Sequence, residues 1–219
     1  MQISSLIATT ERPILMNGTM VRAALDGTKT QTRRPVKPAP EMVTNQRIEP
    51  WTGDPAALLQ LLQAANRSCP YGKAGDHLWV RETFGFVSHD EHQRPLSECS
   101  IEYRADLPVS CNDRPGGWPV SECAGDPQRP RWRPSIHMPR SASRILLENV
   151  SVRVERLNDC SDADARAEGT PGGHGVIPSY NYNATPSEHY SHLWESINGA
   201  GSWAANPWVW VIEFKRVAT

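Results

Sequence analysis

A short basic segment near the N-terminus combines residue types that can do chemistry at close spacing, Gly27-Thr28-Lys29-Thr30-Gln31-Thr32-Arg33-Arg34. In a helical or bent turn the Lys29 amine and the Thr32 hydroxyl, three residues apart, would converge on one substrate group. In an extended segment Lys29 and Arg33 share one face, while Thr32 and Arg34 share the other. The alternative interpretation is a solvated basic loop, since runs of charge usually lie at the surface.

A second concentrated stretch, residues 129–140, places an aromatic residue among arginines and three prolines. Trp132, Arg133, His137 and Arg140 are candidate binding residues, because a stiff backbone carrying arginines and an aromatic ring suits phosphates and an exposed base. The alternative is a surface loop whose tryptophan packs onto the core.

Bulk composition excludes a strongly charged polyanion-binding protein, because the formal net charge is -1 over 219 residues. Within that balance, only four of the 23 basic residues are lysine. Arginine binds planar, bidentate partners such as phosphates and base edges, so the bias favours a nucleotide or nucleic-acid ligand. A GC-rich genome would produce the same bias through codon usage.

No apolar run approaches the roughly 20 residues that span a bilayer, and the N-terminus lacks a signal-peptide pattern. We therefore expect a cytoplasmic protein without a membrane partner. Five cysteines favour free thiols over a disulfide framework. Cys99, Cys111 and Cys123 are spaced twelve residues apart, with His89 and His92 nearby, but no close Cys pair accompanies them. The sequence predicts neither a metal site nor a cofactor, with zinc binding by these residues as the alternative.

The elements that must position these residues form an α+β pattern. A short helix over 20–26 precedes the basic segment, and Gly27 is a plausible terminator for it. A helix over 161–169 carries Glu168 at its last position, where the helix dipole disfavours a carboxylate. Other expected elements are strands at 13–16, 77–84, 100–105, 143–157 (with Asn149 as a bulge or turn) and 208–217, and helices at 54–66 and 186–198.

The same pattern predicts one domain over residues 13–217, preceded by a flexible N-terminus at 1–12. Residues 85–135 are rich in proline and glycine and have weak apolar periodicity, which is typical of a loop-rich insertion.

Several motifs in order resemble the ASCH family. They are the Gly-x-Lys-Thr-x-Thr-x-Arg segment after a short helix, Gly75-Asp76 before a strand, a helix ending Ala-x-x-Glu-Gly, and a terminal Trp-Val-Ile-Glu-Phe-type strand. Cys-Pro-Tyr-Gly, Leu-Trp-Val-Arg-Glu-Thr and Arg-Pro-Ser-Ile-His-Met-Pro-Arg resemble the longer ASCH proteins of phages and prophages. The resemblance implies a PUA-like small β-barrel flanked by short helices and, for a phage protein, the cytoplasm of a bacterial host.

The resemblance also implies a reaction. Small bacterial ASCH proteins are amidohydrolases that remove the acetyl group of N4-acetylcytidine, with a catalytic Lys-x-x-Thr that falls here on Lys29 and Thr32. Their catalytic glutamate falls on Glu168, and the arginine two residues past the threonine falls on Arg34. Arg33 and Arg81 lie within the shared motifs and join the expected binding residues.

A mechanism follows from that resemblance as a hypothesis. Lys29, with its pKa lowered by desolvation, acts as base, while Thr32 is the nucleophile or positions a water. Glu168 orients Lys29 or carries its proton to the leaving amine, and Arg34 binds phosphate or the pyrimidine carbonyl. The alternative is a structural Lys29–Glu168 ion pair.

Two other function classes stay open. The chain is about twice as long as the small enzymes, and an arginine-tryptophan arm suits a polymer better than a free nucleoside. The protein would then be a non-catalytic module that recognises a modified or flipped base in single-stranded nucleic acid, RNA before DNA. A ribonuclease using His77, His137 and Lys29 is the third possibility. The sequence does not specify the oligomeric state.

Overall fold

A computed structural model describes residues 9–44, 47–87, 99–107, 115 and 131–217. The described part contains four α-helices and eleven strands. The helices are α1 (Gly18–Leu25), α2 (Pro55–Ala64), α3 (Asp162–Ala167) and α4 (Pro186–Asn198). The strands are β1 (Glu11–Leu15), β2 (Gln31–Pro35), β3 (Glu41–Thr44), β4 (Arg47–Pro50), β5 (His77–Arg81), β6 (Phe84–Val87), β7 (Ser100–Tyr103), β8 (Leu146–Arg156), β9 (Gly173–His174), β10 (Asn183–Ala184) and β11 (Trp208–Arg216).

The fold is α+β, as the sequence predicts. Five strands form one sheet in the order β1-β5-β8-β11-β2, parallel between β1 and β5 and antiparallel elsewhere. Three two-stranded ribbons, β3–β4, β6–β7 and β9–β10, complete the described strands.

The sheet is open, so the closed small barrel that the ASCH resemblance implies is not confirmed. Strands β1 and β2 are its two edges, and no ladder joins them within the described residues. Pro13 in β1 and Pro35 in β2 lack an amide donor, which suits edge positions. A side chain connects the two edges instead, because Arg34 Nη2 of β2 donates to the Leu15 carbonyl of β1 at 2.7 Å.

Helices pack on both faces of this sheet. Successive side chains of β11 point to opposite faces, so this strand contributes to two different cores. Trp210 and Ile212 belong to the larger core, together with buried residues of α1 and α2. Val209 and Val211 belong to a second core with Ala165 of α3 and with Tyr190 and Trp194 of α4.

Helix starts follow the sequence closely. Asp54 caps α2 by accepting from the Ala57 amide, and Pro55 occupies the first turn. Ser161 forms a capping box with Asp164 at the start of α3. The predictions for both helices are confirmed, and α3 places Glu168 at its C-cap.

Asn149 marks an irregularity in the long strand β8, as predicted. Relative to β11, β8 carries one extra residue, the exposed Val150. Asn149 is buried, and its Nδ2 donates to the Tyr71 carbonyl at 2.8 Å. Its backbone amide donates to the Asp76 carbonyl and its carbonyl accepts from the Gly75 amide, so the bulge fastens residues 71–76 to the sheet.

Much of the predicted insertion lies outside the described residues, as do Cys111, Cys123, His89, His92 and residues 1–8. Cys99 is described and is not in a disulfide. Across the described ranges, no group of three or more His, Cys, Asp and Glu side chains is arranged to hold a metal ion. None of the helices in those ranges combines the length and apolarity needed to cross a membrane.

Asn149→Ala should lower the free energy of unfolding by about 1–3 kcal/mol, because it leaves the Tyr71 carbonyl without its buried donor. Urea denaturation monitored by tryptophan fluorescence measures the change. Asn158→Ala is the matched control, because this exposed side chain makes no hydrogen bond among the described residues, and it should change stability by less than about 0.5 kcal/mol. Equal effects of the two substitutions would contradict a structural role for Asn149.

Candidate functional site

Lys29 is held between the C-terminal ends of two helices. Gly27 follows α1 with a φ of 76°, a left-handed conformation that glycine adopts without a steric cost. The Lys29 amide then donates to the Ala23 carbonyl at 2.9 Å, and the Thr30 amide donates to the Ala167 carbonyl at 2.8 Å. These bonds direct the Lys29 side chain to the end of α3.

The Lys29 ammonium group donates all three of its protons inside the protein. Nζ lies 2.7 Å from the Gln31 carbonyl oxygen, 2.9 Å from the Glu168 carbonyl oxygen and 2.8 Å from Glu168 Oε2. The side chains of Lys29 and Glu168 are 0% and 2% exposed. A fully hydrogen-bonded ammonium at the C-terminus of a helix is a favourable arrangement for a buried cation.

Burial lowers the pKa of Lys29, while the charge of Glu168 and its hydrogen bond oppose that shift. A lowered pKa of Lys29 is the shift that the mechanistic hypothesis in the sequence analysis expects. The geometry adds that, of the three groups that accept hydrogen bonds from Nζ, the Glu168 carboxylate is the one that can take up a proton.

Gly169 makes the close approach of α3 and Lys29 possible. Its φ is 90°, and a Cβ at this position would lie 3.0 Å from Ala23 Cβ and 3.4 Å from Lys29 Cβ. A larger residue would therefore separate the two segments that the Lys29–Glu168 pair joins.

Arg33 extends the charged cluster on the same side of the sheet. Its Nη1 lies 3.4 Å from Glu168 Oε1, its Nε lies 3.1 Å from Glu155 Oε1 and its Nη2 lies 3.5 Å from Asp164 Oδ1. Nη2 also donates to Glu155. Because the Arg33 side chain is fully buried and engaged by three carboxylates, its described contacts are structural.

Asp164 links this cluster to the start of α3. Burial acts to raise the pKa of Asp164, but hydrogen bonds from Ser161 and Gln31 and the charge of Arg33 lower it to about 2. Asp164 is therefore ionised at neutral pH, and it contributes one of the charges that hold Arg33.

Thr32 and Arg34 point away from this cluster, as alternation along a strand requires. Thr32 pairs with Ile212 of β11, and Arg34 pairs with Trp210. Thr32 is 1% exposed, and its hydroxyl has no hydrogen-bond partner among the described residues. A hydroxyl that makes no hydrogen bond to the protein is available to a ligand or a water.

A small cavity lies beside the edge strand β2, between α1 and α4. We define it by Thr32, Arg33, Arg34, Glu168 and Tyr190, with apolar residues of α1 and α4 completing its walls. Its volume of about 20 Å³ holds roughly one water molecule. Lys29 does not line this cavity and lies behind Glu168, so Glu168 is the member of the pair that faces the free space.

Tyr190 of α4 also lines the small cavity, and it is not among the site residues that the sequence predicts. Burial raises the pKa of its hydroxyl well above the ordinary value, and the charge of Glu168 acts in the same direction. The hydroxyl therefore stays protonated and keeps its hydrogen-bond donor, and Tyr190 is one of the residues that line the cavity. The helical periodicity of α4 identified its face but not the polar group at the tip.

Arg34 belongs to two spaces at once. Besides the small cavity, it lines a cleft of about 540 Å³ near the gap between β1 and β2. Its Nη2 is bonded to the Leu15 carbonyl, and its Nε is buried without a partner in the described structure. We call this larger space the cationic cleft. It is lined by Arg34, Pro35, Val36, Lys37, Pro38, Arg67, Ser68, Pro70, Tyr71 and Trp210.

Arg81 and Arg140 connect residues 131–140 of the second basic stretch to the sheet: Arg81 of β5 contacts this segment, and Arg140 within the segment contacts the edge strand β1. Arg81 Nε donates to the Met138 carbonyl at 3.1 Å, and its Nη2 donates to the Ile136 carbonyl. Arg140 pairs with Glu11 of β1 at 2.6 Å. Both side chains help to fasten this segment, and neither lines the two cavities.

Trp132, Arg133 and His137 also lie away from the two cavities. The Arg104 guanidinium lies 5.9 Å from the centre of the Trp132 ring, and the Arg133 guanidinium lies 4.9 Å from that of Phe86. His137 belongs to a short exposed 3-10 turn. The structure thus brings Lys29 and Arg33 into contact with Glu168. Thr32 and Arg34 join Arg33 and Glu168 only as lining residues of the small cavity, and the other predicted binding residues lie apart from them.

Comparisons with protein-family models, curated proteins and solved structures give no match for this chain.

Lys29→Met should lower the free energy of unfolding by about 3–5 kcal/mol, because it leaves the Glu168 carboxylate buried without its ammonium partner. Adding Glu168→Leu should recover part of that loss, and a double-mutant cycle in urea measures the coupling. Lys215→Met is the matched control, because the Lys215–Glu148 pair is solvent-exposed and should contribute less than about 1 kcal/mol. A loss at Lys29 as small as the loss at Lys215 would contradict this account.

Proposed function

We propose that this protein is an amidohydrolase that removes an acyl group from the exocyclic nitrogen of a modified cytosine. The observation that carries the proposal is the small cavity, whose lining includes both Thr32 and Glu168 around a water-sized space. The 2.8 Å contact from Lys29 to Glu168 behind that space fixes the carboxylate. The residue types in the ASCH motifs support the same reaction.

The geometry favours a different division of roles from the one that the sequence predicts. Glu168 faces the cavity, so we assign it proton transfer. Lys29 donates three hydrogen bonds and is enclosed behind Glu168, so we assign it the positioning and charge balance of that carboxylate. Thr32 is then the nucleophile, because its hydroxyl has no competing partner in the described structure.

The proposed reaction forms a threonyl ester and then hydrolyses it. Glu168 accepts the Thr32 hydroxyl proton while Oγ1 adds to the acyl carbon, and it returns that proton to the cytosine nitrogen as the C–N bond breaks. A water that gives its proton to Glu168 then attacks the threonyl ester. The proton passes to Thr32 Oγ1 as the ester bond breaks, which releases the carboxylic acid. We assign stabilisation of the negative charge on the carbonyl oxygen to Tyr190 and Arg34, because both residues line the small cavity.

The proposal includes a relationship between this fold and the PUA-like barrels, and the open sheet is compatible with it. The hydrogen bond between Arg34 and Leu15 brings its two edges within the reach of one side chain. In this interpretation the fold is a barrel left unclosed between β1 and β2, with the small cavity at one of the unpaired edges.

A second candidate function is recognition of a modified base without chemistry. The observation that favours it is the complete engagement of the Lys29 ammonium group, which is what a structural ion pair requires. A ribonuclease that uses His77, His137 and Lys29 has no comparable support, because none of the described contacts joins either histidine to Lys29.

Purified protein should release acetate from N4-acetylcytidine, and Thr32→Ala should lower kcat by at least about a hundredfold, because it removes the nucleophile. Product release is measured by chromatography of the free cytidine. Thr30→Ala is the matched control, since Thr30 lies two residues away with an exposed side chain, and it should keep the activity of the wild type. A wild-type protein with no turnover on any acylated cytosine compound would leave base recognition as the surviving function.

The pH dependence separates the two roles of Lys29. If the ammonium form positions Glu168, kcat falls as pH rises through the pKa of Lys29, which burial lowers below the ordinary lysine value of about 10.4. If instead the neutral amine is the base, kcat rises over the same range. A pH profile of kcat for wild type and Thr30→Ala distinguishes these cases, and we expect the fall.

A further inference from the structure

No step of the proposed reaction uses the cationic cleft. Its volume of about 540 Å³ falls within the range of roughly 300–1,000 Å³ that is typical of small-molecule sites. The small cavity, with room for about one water, cannot hold a pyrimidine together with its sugar. Since Arg34 lines both spaces, the cleft is the place from which a base would reach Thr32.

Charge in the cleft has one sign. Arg34, Lys37 and Arg67 line it, and none of its described lining residues is a carboxylate. Arg12 of β1 lies close by, since its Nη1 contacts the carbonyl of the lining residue Pro70 at 3.4 Å. Within the described part of the chain, none of these four cations forms an ion pair, whereas Arg33, Arg140, Arg144 and Arg153 are each paired with carboxylates.

The guanidinium groups around the cleft retain free donors. Arg67 Nη2 is bonded to the Pro38 carbonyl at 2.6 Å, and Arg34 Nη2 is bonded to Leu15. The Nε atoms of Arg12 and Arg34 are buried with no partner in the described structure. Each guanidinium has five N–H donors, so most of those on Arg34 and Arg67 have no acceptor among the described residues. Free guanidinium donors, two of them buried, favour an anionic ligand.

Two aromatic side chains complete the recognition surface. Tyr71 is half-buried, and Trp210 is buried within the wall. Cationic donors combined with aromatic surface suit a ligand that carries both an anionic group and a planar ring.

We propose that the cationic cleft binds the phosphate group of a cytosine nucleotide, so that the ligand is a phosphorylated base and not an uncharged nucleoside. Arg67 and Lys37 contact the phosphate, while Arg34 lies between the phosphate and the small cavity. The placement of the base beside Thr32 rests on the proposed function, but the phosphate contacts do not.

Calorimetric titration with cytidine 5′-monophosphate and with cytidine tests this inference without any hydrolysis. We expect the nucleotide to bind at least about tenfold more tightly than the nucleoside, because charge-assisted hydrogen bonds to phosphate are strong. Equal affinity for the two compounds, or no binding of the nucleotide, would overturn the inference.

A charge-matched pair of variants identifies the site. Arg67→Gln combined with Lys37→Gln should weaken nucleotide binding about tenfold or more and leave cytidine binding unchanged. The control combines Arg47→Gln with Arg166→Gln, which removes two exposed cations outside the cleft and should change neither. Equal effects of the two double variants would mean that only net charge matters and would refute the cleft as the site. Thermal unfolding verifies that each variant is folded.

The source of the phosphate is distinguished by a third ligand, a single-stranded oligocytidine of eight nucleotides. Tighter binding of the strand with a salt dependence steeper than that of the mononucleotide indicates a nucleic-acid strand, and similar affinities indicate a free nucleotide. If Thr32→Ala retains nucleotide binding while wild type hydrolyses no acylated compound, the cleft stands and the hydrolase proposal fails. If the wild type hydrolyses an acylated cytosine compound but binds the nucleotide no more tightly than the nucleoside, the hydrolase proposal stands and the cleft proposal fails.

Discussion

The buried Lys29–Glu168 pair is the interaction on which the site depends. Two charges removed from water are stable only when each finds partners, and here one ammonium group satisfies two backbone carbonyls and one carboxylate. The contact joins the segment after α1 to the end of α3, and Gly169 leaves the space for it. The second oxygen of Glu168 then connects to Arg33, and through Arg33 to the acids of β8 and α3.

Local signals in the sequence were sufficient for most of the elements. Asp54 followed by Pro55, and Ser161 followed by acids, specify helix starts through bonds within a few residues, so both boundaries could be predicted. Asn149 within an apolar run gave the irregularity in β8. Glu168 was identified by its unfavourable place at a helix end, and the structure explains that place by the contact with Lys29, 139 residues away in the chain.

The assembly of the site depended on long-range contacts that no local pattern encodes. Alternation along β2 separated Arg33 from Arg34, but only the packing of β8 and α3 shows that Arg33 is enclosed by carboxylates. Tyr190 packs in the second core and also lines the small cavity, and a helical pattern in the sequence does not reveal the second of these contacts. The cationic cleft combines residues from β2, from β11 and from the segment that follows α2. Its charged residues are far apart in the sequence, so only the folded structure shows that cations line one space.

The gap between β1 and β2 is spanned by a side chain and not by a strand ladder. Widening it by releasing Arg34 from Leu15 breaks one hydrogen bond, whose net contribution is about 0.5–1.5 kcal/mol, and leaves every backbone pairing of the sheet intact. A ligand anion that captures the same guanidinium replaces the bond that it breaks. The cationic cleft and the small cavity therefore share a lining residue whose only described side-chain hydrogen bond can be exchanged for one to an anion without any change in the topology of the sheet.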